Sequence, residues 1–164
     1  MASAEENPYW AFSLRVYGHE PVRKLALLLQ DEHGADVNIL LFLAWRRQAG
    51  AAPVTANDLA AMAAAVAPLR DGLIEPLRNL RRWLPEIGAD AATRAPLKDA
   101  LLAAELAAEK VEQDMLYRQF RPTSPEARAG DLAADVGLYL TILGASGAAA
   151  LAADFAAVIA SVSA

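Results

Sequence analysis

Residues 27–45 read LLLQDEHGADVNILLFLAW, two nearly unbroken apolar runs around a short polar knot, Gln30 to Asn38. Gly34 suits the left-handed residue that closes a helix, and Asp36 suits the cap of the next one. The run from Val37 to Trp45 is apolar on all sides, which predicts a central, buried helix near residues 37–48. It is too short to span a bilayer, since Arg46 and Arg47 follow. On the upstream side Pro21 begins a helix with Val22, Leu25, Ala26 and Leu29 at i, i+3, i+4 and i+7. Before it, Asn7 and Pro8 mark the start of a helix ending at Tyr17, with Gly18 as its C′ residue.

Downstream, Thr55 with Asp58 forms a capping box and Val54 with Leu59 a hydrophobic staple. Pro68 and Pro76 interrupt the segment that follows, so Leu69, Leu73, Leu77, Leu80 and Leu84 are expected as one apolar stripe on a kinked helix. A long helix is predicted from Pro96 to about Phe120, burying Leu97, Leu101, Ala104, Ala108, Val111 and Met115, with Glu105, Glu109, Glu112 and Asp114 on its other faces. Ser124-Pro125-Glu126 is expected to cap a further helix. Ser146 starts the last, which aligns Leu151, Phe155, Val158, Ile159 and Val162. The reading is all-α: one domain over residues 1–164, a bundle of six to eight helices whose residues 121–164 form a C-terminal helical hairpin.

Composition narrows the function. The chain has 164 residues, 55% hydrophobic but only 7% aromatic, which reflects heavy use of alanine and favours closely packed helices. A net charge of -5, with basic residues interleaved among acids, argues against nucleic acid as a partner. Cysteine is absent, so a metal would rest on His, Asp and Glu. The opening MASAEENPYW has neither basic nor apolar regions of a secretory signal, which makes the cytoplasm the expected address. Residues 137–153 lack charge, but they are rich in Ala, Gly and Ser and broken by GASG, as in a packed hairpin rather than a membrane one.

Four motifs, YWAFSLRVYGHEPV, LQDEHGADVNILLFLAW, PLRNLRRWL and AELAAEKVEQ, appear in that order. Over about residues 9–117 the chain resembles the bacterial domain of unknown function 2390 family. The resemblance implies no activity. It implies a signature made of Trp10, Phe12, Ser13, Tyr17, Gln30, Asp31, Gly34, Asp36, Asn38, Arg78, Arg81, Arg82, Glu105 and Glu109.

Among the polar residues, Gly34 and Asp36 need no ligand to explain them, whereas Asn38, at the head of an apolar helix, either bonds locally or joins a buried polar network. A carboxylate near a helix C-terminus opposes the dipole, so Asp31 is expected to be partly buried and to face Arg78, Arg81 or Arg82. Asp31, His33 and Asp36 are candidate metal ligands with non-standard spacing; the EF-hand pattern fails because His33 and Ala35 stand where acids are required. Arg70, Arg78, Arg81 and Arg82 precede Glu105, Glu109 and Glu112 on an adjacent helix. They either lock the helices together or present planar forks to a small anionic ligand. Trp10, Phe12, Tyr17, Trp45 and Trp83 are expected as aromatic core.

No nucleophile with its base, phosphate loop or zinc-protease motif is present in the sequence. The expected function is therefore a non-catalytic cytoplasmic binding or assembly factor without a cofactor, for a protein partner or a small anionic ligand. In that reading the Arg/Glu group neutralises itself and leaves no large polar cavity beside the knot. The alternative is an enzyme or metal-binding protein whose site lies between the knot and the Arg/Glu helices. Its candidate residues are Gln30, Asp31, Asn38, Arg78, Arg81, Glu105 and Glu109. The C-terminal hairpin is a candidate homodimer surface.

Overall fold

Capping chemistry fixes where the helices begin. In the computed structural model, which describes residues 7–123 and 130–163, Asn7 accepts from the Tyr9 and Trp10 amides and starts α1, Pro8–Tyr17. Helix α2, Glu20–His33, ends at Gly34, whose φ of 68° admits glycine and disfavours a side chain. Asp36 accepts from the Asn38 and Ile39 amides and starts α3, Val37–Gln48. The capping box of Thr55 and Asp58 is complete at the head of α4, Ala56–Leu69. Gly18 departs from expectation in one respect: it closes α1 with φ at -61°, so it is not used as a left-handed residue.

The two prolines bend the chain without cutting it. Between them Arg70–Ile74 is wound as a π-helix that runs directly into α5, Glu75–Trp83, because Pro76 has no amide to offer and the Glu75 amide reaches back to the Arg70 carbonyl. A single 3-10 turn, Leu84–Glu86, leads to α6, Ala91–Phe120, capped by Asp90. Helices α7, Leu132–Ile142, and α8, Ala148–Val162, pack against each other as the C-terminal hairpin. Ser124, Pro125 and Glu126, expected as a cap, lie outside the described residues.

The fold is an all-α bundle with no strand among the described residues, and α3 is its axis. Val37 to Ala44 are buried without interruption, touched by α1, α2, α6 and α7. Each buried Leu or Phe of this run removes enough apolar surface from water to contribute about 1.5–3 kcal/mol. Tyr9 and Phe42 meet edge to face at 5.0 Å, Phe42 stacks on Trp45 at 5.6 Å, and Tyr117 closes over Trp45 at 5.4 Å. On α8, Phe155 and Ile159 are buried and Leu151, Val158 and Val162 are partly buried against the same core.

The apolar stripes expected on α5 and α6 are buried only in part, at Leu84 and Ala108. Leu73 and Leu80 are exposed, as are Leu97 and Val111, and Trp83 lies in solvent rather than in the aromatic core. Beside Ala108, helix α6 turns Glu105, Glu112, Gln113 and Leu116 inward. No residue of α5 is fully buried, and the α5 side chains turned toward α6 include Arg78 and Arg81. The inward face is rotated from the apolar stripe because each buried acid finds a donor on a neighbouring helix.

Candidate functional site

Asn38 joins a buried network rather than bonding only locally. Its side-chain nitrogen donates to Glu112 Oε2 at 2.9 Å, and its oxygen accepts from Gln113 Nε2 at 2.8 Å. Gln113 Oε1 in turn accepts from the Ser13 hydroxyl at 2.7 Å, while the Tyr9 hydroxyl donates to the Asn38 carbonyl at 2.5 Å. Residues of α1, α3 and α6 are thus tied by one polar chain through the apolar interior.

The Arg/Glu group lies beside it. Arg78 spreads its donors over three carboxylates, Glu105 at 3.1 Å, Glu75 at 2.9 Å and Glu109 at 2.6 Å. Arg81 takes both oxygens of Glu105, at 2.9 and 3.2 Å. Burial alone would lower the Arg78 pKa, but hydrogen bonds and charges from Glu109 and Glu75 outweigh it and the pKa is raised. Burial raises the Glu109 pKa against the opposing pull of Arg78. Asp31 faces Arg82 across 3.6 Å, so the expected basic partner is there, but its side chain is 59% exposed rather than partly buried. A pair this open is screened by water and contributes little.

Although the Arg/Glu charges pair, concave space opens beside the knot, contrary to expectation. A cleft of about 740 Å3 is lined by all seven candidate residues, Gln30, Asp31, Asn38, Arg78, Arg81, Glu105 and Glu109. Its other wall is apolar: Leu14, Leu27, Leu102 and Leu106, each at least 38% exposed. A second cleft of about 600 Å3 lies across the ridge formed by Gln30, Asp31, Arg78 and Arg82, which line both. Into this smaller cleft come Asp36, Glu112, Arg70 and Tyr139, with Leu59, Ala63, Ile74, Ile142 and Leu143 as its apolar lining.

Asp36 and Glu112 form a close carboxyl pair. Burial first, then the Asp36 charge and a hydrogen bond between the two carboxyls, push the Glu112 pKa up to about 9. Near neutral pH Glu112 therefore keeps its proton. Asp36 Oδ2 and Glu112 Oε1 have no other hydrogen-bond partner. Arg70 stands 3.8 Å from Asp36 Oδ2, and the Tyr139 oxygen accepts from the Asp36 amide at 3.0 Å. Burial, followed by the Asp36 charge, raises the Tyr139 pKa.

The family described as protein of unknown function (DUF2390) matches residues 8–116, well over half of the chain. The chain belongs to that family. The DUF2390 region carries the knot, the arginines and Glu112, and the match stops at Leu116, whereas Tyr139 comes from α7 beyond it. No curated protein and no solved structure matches the chain.

Asp31, His33 and Asp36 are not assembled as a metal site: among the described residues no group of three or more His, Cys, Asp or Glu is placed to hold an ion. No described helix is long and apolar enough to cross a membrane. The sequence marked Asp36 as a cap and a candidate metal ligand and Glu112 as one of the acids set against the arginines, and Tyr139 went unmarked. The helical spacing of Glu105, Glu112 and Leu116 was a usable signal for the inward face of α6. Nothing in the sequence pointed to Tyr139, which reaches Asp36 only through the tertiary fold.

Proposed function

We propose that this chain is a non-catalytic cytoplasmic binding protein whose ligand is a small molecule joining an apolar body to an anionic group, held in the larger cleft. One observation carries this reading: four exposed leucines form a wall of a concavity that also receives arginines. Exposed apolar side chains gathered in a cleft, opposed by a few polar groups, are the usual makings of a small-molecule site, and about 740 Å3 lies within the usual size range. Arg78 and Arg81 are committed to carboxylates. Arg82 has only its open pair with Asp31, and Arg23 makes no ion pair among the described residues, so these two have donors to spare for an anion. A catalytic reading needs a carboxyl without a basic partner; Glu112 is one, but it lines the other cleft.

Calorimetric titration with octanoate, octanol and octylamine tests this reading. Octanoate is expected to bind most tightly, and Arg23→Gln with Arg82→Gln to weaken it about tenfold or more while leaving octanol unchanged, as loss of charge-assisted hydrogen bonds implies. Octylamine binding as tightly as octanoate contradicts the proposal.

A further inference from the structure

The floor of the smaller cleft has a chemistry opposite to that of the larger one. Apart from each other and Arg70, 3.8 Å from Asp36 Oδ2, Asp36 Oδ2 and Glu112 Oε1 have no partner, although their side chains are almost completely buried. Tyr139 lines the same floor with a third oxygen. Above it stands Arg70, whose Nε and Nη2 are engaged by the exposed Asp71, while Nη1 makes no hydrogen bond. Side chains of Leu59, Ala63, Ile74, Ile142 and Leu143 complete the lining.

We propose that this cleft is a second binding site, taking the primary ammonium of an α-amino-acid-like zwitterion on Asp36, Glu112 and Tyr139, with its carboxylate on Arg70. An ammonium carries three donors, matching the three oxygens. The 3.8 Å between Arg70 Nη1 and Asp36 Oδ2 keeps the two charged ends of the ligand close together, as an α-amino acid requires. A divalent metal fits less well, with only two carboxylates and a guanidinium beside them. The apolar lining suits an aliphatic side chain.

Binding displaces the proton of the Glu112 carboxyl, which leaves for solvent as the ammonium enters. Glu112 is faced by Asp36 and Asn38 from the head of α3, Tyr9 from α1, Arg70 from the π-helix, Tyr139 from α7 and Glu109 on its own helix. Of these Asp36 is the neighbouring charge that most holds the proton on Glu112. Below the Glu112 pKa a cation therefore competes with one proton, and its affinity rises with pH.

Calorimetry with L-leucine, 3-methylbutylamine and 4-methylpentanoate between about pH 6 and pH 8 is the test, one released proton giving about tenfold tighter binding per pH unit. L-leucine and the amine are expected to show that slope, and 4-methylpentanoate is expected not to. Glu112→Gln keeps the contact to Asn38 and supplies an amide donor to Asp36, so the variant is expected to fold, lose the slope and weaken amine binding. Arg70→Gln is expected to weaken L-leucine and leave 3-methylbutylamine unchanged. Failure of both L-leucine and the amine to bind near pH 8, or binding without a pH slope, overturns the proposal. Octanoate binding in the larger cleft is independent of either result.

Discussion

Helices α3 and α6 both cross the interior, by opposite means. Every residue of α3 from Val37 to Ala44 is buried, and its one polar side chain in that span, Asn38, has its partners. Helix α6 buries Glu105, Glu112 and Gln113 and leaves Val111 half exposed. Apolar burial needs only complementary shape, so α3 tolerates any well-packed neighbour. Buried acids need specific donors in fixed places, so α6 is positioned by Arg78, Arg81 and Asn38 and loses its reason to face inward without them.

That contrast makes Arg78→Met the most damaging of the informative substitutions. It removes the guanidinium shared by Glu75, Glu105 and Glu109, and leaving buried acids without a partner is expected to cost about 3–5 kcal/mol in urea unfolding. A cost near zero would mean that the ion cluster is not what seats α6.

Glu112→Gln should act through pH. The folded-state pKa of Glu112 is raised from 4.5 to about 9, so between those values the native state binds more protons than the unfolded chain. Stability from this group is fully present below the unfolded pKa and is lost as pH rises through about 9. The natural chain is expected to lose stability on the order of 1 kcal/mol per pH unit between about pH 5 and 8, and the glutamine variant to lose less. Identical profiles would place Glu112 in an ordinary solvated setting.

The same contrast explains what the sequence disclosed. The caps at Asn7, Asp36 and Thr55 and the all-apolar α3 were legible because they depend on residues a few positions apart. The seven candidate polar residues could be selected from the knot and the Arg/Glu spacing, and they line one cleft. The orientation of α5 and α6 was not legible. Hydrophobic periodicity assigns the apolar face inward, and only the tertiary pairing of Arg78 with Glu105 and Glu109, 27 and 31 residues away, rotates it. The Asp36–Glu112–Tyr139 cluster combines three helices distant in sequence and leaves no local pattern.

Leu80→Gln has the smallest expected effect. A periodic stripe would make Leu80 a core residue whose truncation costs several kcal/mol, but at 50% exposed its replacement should change stability by less than about 0.5 kcal/mol.

The orientation of α6 can be read most directly by thiol reactivity, because the chain has no cysteine and each substitution introduces the only one. Val111→Cys and Gln113→Cys, treated with a chromogenic disulfide reagent under native conditions, sample opposite faces of the helix. The thiol at 111, on a position 50% exposed, is expected to react at nearly the rate of the unfolded chain, and the thiol at 113, on a position 5% exposed, to be strongly protected. A protected thiol at 111 together with a reactive one at 113 would contradict the account, for α6 would then bury its apolar stripe and leave its polar side chains in water.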